Sequence, residues 1–207
     1  KTETLNEFNS LINEHETLIG AITNQALSID SPNYLDFCVN RDVRHGDFLE
    51  VFLLSVCDFF IGTSSGPASI ASIFDTPILS VNTAPFHPMY SRFCRMLPKH
   101  LLHNGGEVNF LDICNGKTLS SDNTKKLTFS MSGKELTEFG YEYITNTEDD
   151  ILAAVKEFVS QMDGKEFKSN ITQLQNHYIN KLAADFVFKN ADCIVTDSFI
   201  AQYPHLF

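Results

Sequence analysis

The spacing of apolar and polar residues predicts an alternation of strands and helices over the first 82 residues. Short apolar runs at 17–23, 35–39, 59–61 and 78–81 are typical of buried strands, because turn-forming residues border them. Apolar residues at helical spacing predict helices near 2–12, 47–57 and 67–74. Strands that alternate with helices in this way predict a parallel sheet with helices on its faces.

The second half of the chain has weaker patterns. Residues 83–129 are rich in Pro, Asn, Gly and Ser, and we interpret them as long loops with a short helix around 90–96. Three acidic residues after Asn146-Thr147 predict the start of a helix whose apolar spacing continues through Val159. A last helical stretch is predicted over about 167–188, and residues 203–207 are expected to be docked or frayed. The predicted fold is therefore α/β, a Rossmann-like three-layer domain with a mostly parallel sheet over 1–163 and a C-terminal helical extension over 164–207 that packs on it.

Composition and charge exclude several classes of function. The 207 residues include 15 Lys and Arg against 26 Asp and Glu, which gives a formal net charge of −11. Nucleic-acid binding is not expected, because a phosphate backbone needs clustered cations. The longest apolar run, 48–57, is too short to span a bilayer, so we expect no membrane span. The five cysteines are an odd, widely spaced set, which predicts reduced thiols in a cytoplasmic protein.

The segment FFIGTSSGPAS at 59–69 is the one sequence motif that indicates a site. A strand leads into a turn of small residues, and a helix begins at once. Gly62 and Gly66 allow positive φ and close approach of a ligand to the backbone, and Pro67 suits the first helical position. The first turn of a helix presents free N–H donors, which favour a phosphate. Further donors come from the hydroxyls of Thr63, Ser64, Ser65 and Ser69.

This motif leaves several functions open. It fits a well-capped turn with no ligand, a cradle for the diphosphate of a nucleotide-sugar, or a non-catalytic nucleotide-binding or interaction domain. Residues 62–66 also match G-x-S-x-G, the nucleophile elbow of α/β-hydrolases, which would make Ser64 the nucleophile of a serine hydrolase. A glycine-rich oxyanion segment is missing upstream of it, which weakens the hydrolase hypothesis.

Three sequence blocks in order resemble a known family. They are GDFLEVFLL at 46–54, CDFFIGTSSGP at 57–67 and TPILSVN at 76–82. Together they resemble bacterial glycosyltransferases of GT-B type and, more distantly, the C-terminal domain of the ADP-heptose transferases of lipopolysaccharide synthesis. The resemblance covers about residues 34–82, with weaker similarity at Pro98-Lys99 and at 142–159. Ser69 stands where the heptosyltransferases have a histidine, so a heptose-specific contact is not expected.

The resemblance implies a donor-binding half of a glycosyltransferase. Ser64, Ser65 and Gly66 would hold the diphosphate of a nucleotide-sugar, which is a substrate, with no metal and no other cofactor. The sugar would pass to a glycan or lipid-linked acceptor in the synthesis of cell-envelope polysaccharide. The enzyme would work in the cytoplasm or peripherally at the inner face of the membrane. Because 207 residues are about half of a GT-B enzyme, the acceptor domain and the catalytic base are expected in a missing N-terminal domain or a partner chain; no catalytic residue is assigned here.

Three further residues lie on the expected ligand edge of the sheet. Arg44 stands between the second strand and the next helix, where a cation can pair with phosphate. Asn82 ends the strand after the motif, where an amide can meet base or sugar. Lys99 falls where the resemblance has a basic residue. His87, His100 and His103 have no metal-binding spacing, so no metal site is predicted.

Overall fold

A computed structural model describes residues 19–21, 34–36, 46–84, 94–114, 133–163, 172–181 and 193–207. At 19–21, 34–36, 46, 47, 114 and 163 it describes the backbone alone. The chain divides into two compact units, Lys1–Val56 and Cys57–Phe207.

The first unit contains two short strands and a helix. Strand β1 (Ile19–Ala21) pairs in parallel with β2 (Tyr34–Asp36), and helix α1 (Gly46–Val56) follows. The predicted strands and the predicted helix after Asp47 are confirmed within the described residues. The predicted helix near 2–12 lies outside them, as does Arg44.

The second unit combines strands and helices throughout its described residues. Its strands are β3 (Phe60–Gly62), β4 (Ile78–Thr83), β5 (Cys94–Pro98), β6 (His100–His103), β7 (Gly106–Glu107), β8 (Tyr141–Ile144) and β9 (Cys193–Val195). Its helices are α2 (Gly66–Ile73), α3 (Phe110–Cys114), α4 (Gly133–Glu138), α5 (Glu148–Asp163), α6 (Gln173–Lys181) and α7 (Asp197–Gln202), and a 3-10 turn spans Pro204–Leu206.

Four parallel strands form the main sheet, in the order β3-β4-β5-β9. Strands β4 and β5 are buried almost throughout, as expected of parallel strands covered on both faces. Helix α2 joins β3 to β4, and its Ala68 and Ala71 are completely buried. Phe158 of α5 is also fully buried and meets the ring of Phe59 edge-on. The protein therefore has an α/β, Rossmann-like fold with a mostly parallel sheet, as predicted.

Residues 94–96 begin the central strand β5, so the short helix predicted around 90–96 is wrong there. Arg95 interrupts an otherwise apolar run. Because its charged side chain is buried in the structure, the sequence pattern of a buried strand was hidden.

A second, antiparallel sheet replaces part of the predicted long loop at 83–129. Its strand order is β7-β6-β8. Asn104 and Gly105 make the two-residue turn between β6 and β7, with φ values of 49° and 81°. An Asn-Gly pair with positive φ at both residues is the preferred hairpin connection. A separate apolar cluster lies against this sheet: Leu101, Val108, Ile113, Leu136 and Tyr141.

The C-terminal segment contains the predicted helix and also an unexpected strand. Helix α6 lies within the predicted stretch 167–188. Strand β9 then pairs with β5 at the edge of the main sheet. The end of the chain is docked, since Leu206 is buried and the ring of Phe207 packs near those of Phe110, Tyr178 and Phe199.

Candidate functional site

The GTSSGP turn connects β3 to α2 at the carboxyl edge of the parallel sheet. β3 ends at Gly62, and α2 begins at Gly66 after an extended N-cap, Ser65, with φ −153° and ψ 178°. Pro67 lies in the first turn of the helix, where it has no N–H to lose. The predicted strand, turn and helix are all confirmed. Open α/β sheets bind their ligands at this edge.

The hydroxyl group of the N-cap residue Ser65 does not cap the helix that follows. The Ser65 hydroxyl donates to the Thr63 carbonyl oxygen at 3.1 Å and makes no capping hydrogen bond. The Ser69 hydroxyl donates to the Ser65 carbonyl oxygen at 3.3 Å. The Ser65 hydroxyl therefore accepts no amide of the first turn of α2, and amides at the start of a helix favour an anion.

The turn is open on its outer side. Thr63, Ser65, Gly66 and Ser69 are exposed, whereas Ser64 and Pro67 are half-buried. A Cβ atom built on Gly66 meets no atom within 4 Å. The helix rests on the sheet through small buried alanines, which keeps its N-terminus close to the strand ends. A ligand can thus approach the backbone at Gly66.

The glycines do not use the backbone freedom that the sequence analysis noted. Positive φ among the described glycines occurs at Gly105 and Gly140, and neither Gly62 nor Gly66 adopts it. At Gly62 a Cβ would meet the ring of Phe60. A side chain at Gly62 would therefore disturb packing against Phe60, whereas one at Gly66 would occupy the open space through which a ligand approaches.

Asn82 is hydrogen-bonded to Asn146, which lies just before α5. Its backbone N–H donates to Asn146 Oδ1 at 2.8 Å, and the Asn146 N–H donates to Asn82 Oδ1 at 2.7 Å. The Asn146 side chain also donates to the Pro98 carbonyl oxygen at 2.7 Å. The side-chain oxygen of Asn82 is thus used inside the protein, and the pair joins the ends of β4 and β5.

Lys99 directly follows β5 on the same edge. Its N–H donates to the Thr83 carbonyl oxygen at 2.8 Å, and its Nζ lies 5.7 Å from the centre of the Tyr143 ring. That geometry is a cation–π contact. Because β5 is two strands from β3, and strands lie about 4.8 Å apart, the Lys99 backbone is roughly 10 Å along the edge from the turn.

A buried polar network that the sequence did not predict lies beside β5. Arg95 is 3% exposed, and its Nε donates to Gln161 Oε1 at 3.0 Å. The Glu157 carboxylate accepts the N–H groups of Asp197 and Ser198 at 2.9 and 2.8 Å. Burial lowers the pKa of Arg95, and the charge of Glu157 opposes that shift. Glu157 therefore caps α7 and compensates a buried cation.

A second missed cluster joins two histidines through one carboxylate. Glu107 lies 3.3 Å from His100 Nδ1 and 2.7 Å from His205 Nε2. The hydrogen bond from His205 is the largest of the effects that lower the pKa of Glu107. Nearby, the Tyr203 hydroxyl donates to Asp150 at 2.9 Å, and burial raises the pKa of Tyr203 to about 12. No sequence spacing indicates this cluster, because the partners come from distant segments.

Other polar features of the described residues do not point to a metal. No group of three or more His, Cys, Asp or Glu side chains in those residues is arranged to hold one. The acidic residues at 148–150 begin α5, where Thr147 and Asp150 exchange hydrogen bonds as a capping box. A shallow cavity of about 300 Å³ lies away from the turn, between the β6–β7 connection and the segment from α4 into β8.

Comparison with known proteins identifies no relative. No protein-family model matches the chain. The curated proteins and the solved structures likewise contain no match. Within the described part of the chain, every helix is too short or too polar to cross a bilayer.

Proposed function

We propose that this chain binds a nucleotide-sugar as the donor half of a metal-independent GT-B glycosyltransferase. The diphosphate would lie against the turn of residues 62–69, with Ser64, Ser65 and Gly66 closest to it. Transfer would deliver the sugar to a glycan or lipid-linked acceptor of the cell envelope from the cytoplasmic side. The acceptor site and the catalytic base would belong to a further domain or partner chain.

One observation carries the proposal: the exposed strand–turn–helix connection at the carboxyl edge of a parallel sheet. The N-cap Ser65 of its helix makes no side-chain cap, the hydroxyls of the turn are neutral, and the space over Gly66 is open. Aligned amides at a helix start stabilise a phosphate without a cation. In a protein of net charge −11, such local donors are needed to offset the general repulsion of an anion.

Isothermal titration of the full chain with UDP-, GDP-, ADP- and CMP-sugars tests this proposal. We expect one nucleotide class to bind with a submillimolar Kd, and we expect EDTA to leave that Kd unchanged. Absence of heat with all four classes at millimolar concentration would refute donor binding.

Gly66→Ala locates the site. Because a Cβ at Gly66 meets no protein atom, the free energy of unfolding should change by less than about 0.5 kcal/mol. The added methyl group should nonetheless weaken nucleotide binding by about tenfold or more, or roughly 1.4 kcal/mol. Gly133→Ala is the matched control, since Gly133 also begins a helix and its Cβ also meets open space. Equal affinities for the two variants would place the ligand elsewhere.

The serine hydrolase hypothesis gains no support from the turn. A nucleophile elbow holds its serine in a strained backbone conformation. Positive φ among the described non-glycine residues occurs at Asp75, Asn82 and Asn104, and Ser64 is not among them. Labelling of Ser64 by a fluorophosphonate probe would nevertheless favour that hypothesis over donor binding.

A further inference from the structure

Two cysteines that are far apart in sequence lie side by side in the main sheet. Cys94 is the first residue of β5, and Cys193 is the first residue of β9. The two are direct register partners, and their Sγ atoms are 3.1 Å apart. Both are free thiols. The sequence offered no signal for this pair, because 99 positions separate them.

The backbone geometry at this pair suits a disulfide. Neighbouring strands hold directly opposed Cα atoms at about 4.8 Å. Disulfides join Cα atoms at roughly 4.4–6.8 Å with a sulfur–sulfur bond of about 2.0 Å. The two sulfur atoms therefore need to approach by roughly 1 Å, which rotation of the side chains can supply without a change of register.

The pair is buried but lies next to a short edge strand. Cys94 is 0% and Cys193 is 3% exposed. Burial is the main effect that raises the pKa of the Cys94 thiol well above its usual value, and the hydrogen bond with Cys193 adds to it. β9 is three residues long and, among the described residues, pairs with β5 alone. Local opening of such an edge strand exposes its thiol far more readily than global unfolding does.

We propose that Cys94 and Cys193 are a redox-active pair that closes into a cross-strand disulfide when the protein meets a disulfide oxidant such as oxidised glutathione. The reaction is independent of the proposed nucleotide site. It covalently fastens the edge strand of the sheet to its neighbour.

The exchange proceeds in two balanced steps. When β9 opens, Cys193 loses its proton to solvent, and its thiolate attacks one sulfur of oxidised glutathione. A mixed disulfide forms, and one glutathione thiolate leaves. Cys94, deprotonated in turn, then attacks the Cys193 sulfur and expels the second glutathione thiolate. Two protein thiols lose two electrons in total, oxidised glutathione gains them, and the released thiolates take up the two protons.

Peptide mapping of the folded full chain tests the proposal. The protein is incubated with millimolar oxidised glutathione under native conditions, the remaining thiols are alkylated, and the protein is digested without reduction. We expect a peptide pair linked through Cys94 and Cys193, two hydrogens lighter than the sum of its parts. Because the bond closes a loop of about 100 residues, we expect Tm to rise by about 5 °C or more. Dithiothreitol should reverse both changes.

Three variants make the result decisive. Cys193→Ala and Cys94→Ala should each abolish the linked peptide and the rise in Tm, with circular dichroism confirming that each remains folded. Cys57→Ser should leave both unchanged, since Cys57 is half-buried and outside the pair. The proposal fails if Cys94 and Cys193 are still alkylated as free thiols after denaturation while Cys57 carries glutathione. It also fails if they link to other cysteines, or if the bond forms only during refolding from urea.

Discussion

Asn82 and Asn146 hold each other through two reciprocal hydrogen bonds, each from the backbone N–H of one residue to the side-chain oxygen of the other. Asn82 has a φ of 51°, a left-handed conformation that asparagine tolerates better than most residues. Through the third bond, to Pro98, the pair fixes the ends of two central strands beside the candidate site.

Asn146→Ala should lower the free energy of unfolding by about 2–4 kcal/mol. The change removes the two hydrogen bonds of the Asn146 side chain and leaves the Asn82 N–H and the Pro98 carbonyl without that partner in a largely buried place. Urea denaturation followed by circular dichroism measures the loss. Asn176→Ala, at an exposed position of α6, should change stability by less than about 0.5 kcal/mol. Similar values for both variants would show that the asparagine pair contributes nothing.

Glu157→Ala should also be strongly destabilising, by about 2–3 kcal/mol. It removes a carboxylate that accepts two N–H groups at the start of α7, and it takes away the largest of the charges that compensate the buried Arg95. Lys156→Ala, at the exposed neighbouring position, is the control. Hydrogen exchange should become faster at Asp197 and Ser198 in the Glu157 variant alone; unchanged protection there would contradict the capping role.

Glu107 should make stability depend on pH below about 4.5. Its pKa in the folded protein lies below the ordinary value of 4.5, chiefly because His205 donates a hydrogen bond to it. A lowered carboxyl pKa adds stability above the unfolded value, and that stability is lost as the pH falls through the folded pKa. The carboxylate is 44% exposed, so the contribution should be at most about 1 kcal/mol.

Unfolding measured from pH 3 to 6 checks this expectation. Glu107→Gln should be less stable than the natural chain near pH 6, and the difference should shrink toward pH 3. For Glu142→Gln, on the exposed face of β8, the free energy of unfolding should depend on pH as it does in the natural chain. A pH-independent difference for Glu107→Gln would mean that packing, and not charge, holds the cluster together.

Gly140→Ala should cost about 1–3 kcal/mol. Gly140 has a φ of 76°, and a Cβ there would collide with the side chain of Asn104. Gly105→Ala, at a φ of 81° in open space, isolates the backbone strain from the collision. The Gly140 variant should therefore be the less stable of the two, and Asn104→Ala should cost less in the Gly140→Ala background than in the natural chain. A double variant with purely additive losses would exclude the collision.

The sequence predicted those elements whose signals are local. The GTSSGP turn, the strand before it and the helix after it are fixed by small residues and by Pro67, and all three were found. The capping box at Thr147 and Asp150 likewise lies within four residues. The Asn104-Gly105 pair is also a local signal, since Asn-Gly favours a two-residue hairpin turn. We nevertheless predicted a loop there because the surrounding residues are polar.

Long-range partners could not be predicted from the same patterns. β5 contains a buried arginine whose cost is offset by Glu157 and Gln161, more than 60 residues away. Glu107 meets His205 across 98 positions. A single sequence carries no record of such pairings, because each depends on which strands become neighbours. The candidate site was thus predictable as a turn, whereas the polar contacts around it were not.

The pairing of β9 with β5 also constrains synthesis on the ribosome. One side of β5 has no partner until β9 is translated, about 99 positions later. At about 5–20 residues per second, that interval lasts roughly 5–20 seconds. Throughout it the nascent sheet presents a row of unpaired amides and carbonyls, so chaperone protection of this strand should matter most before residue 195 emerges.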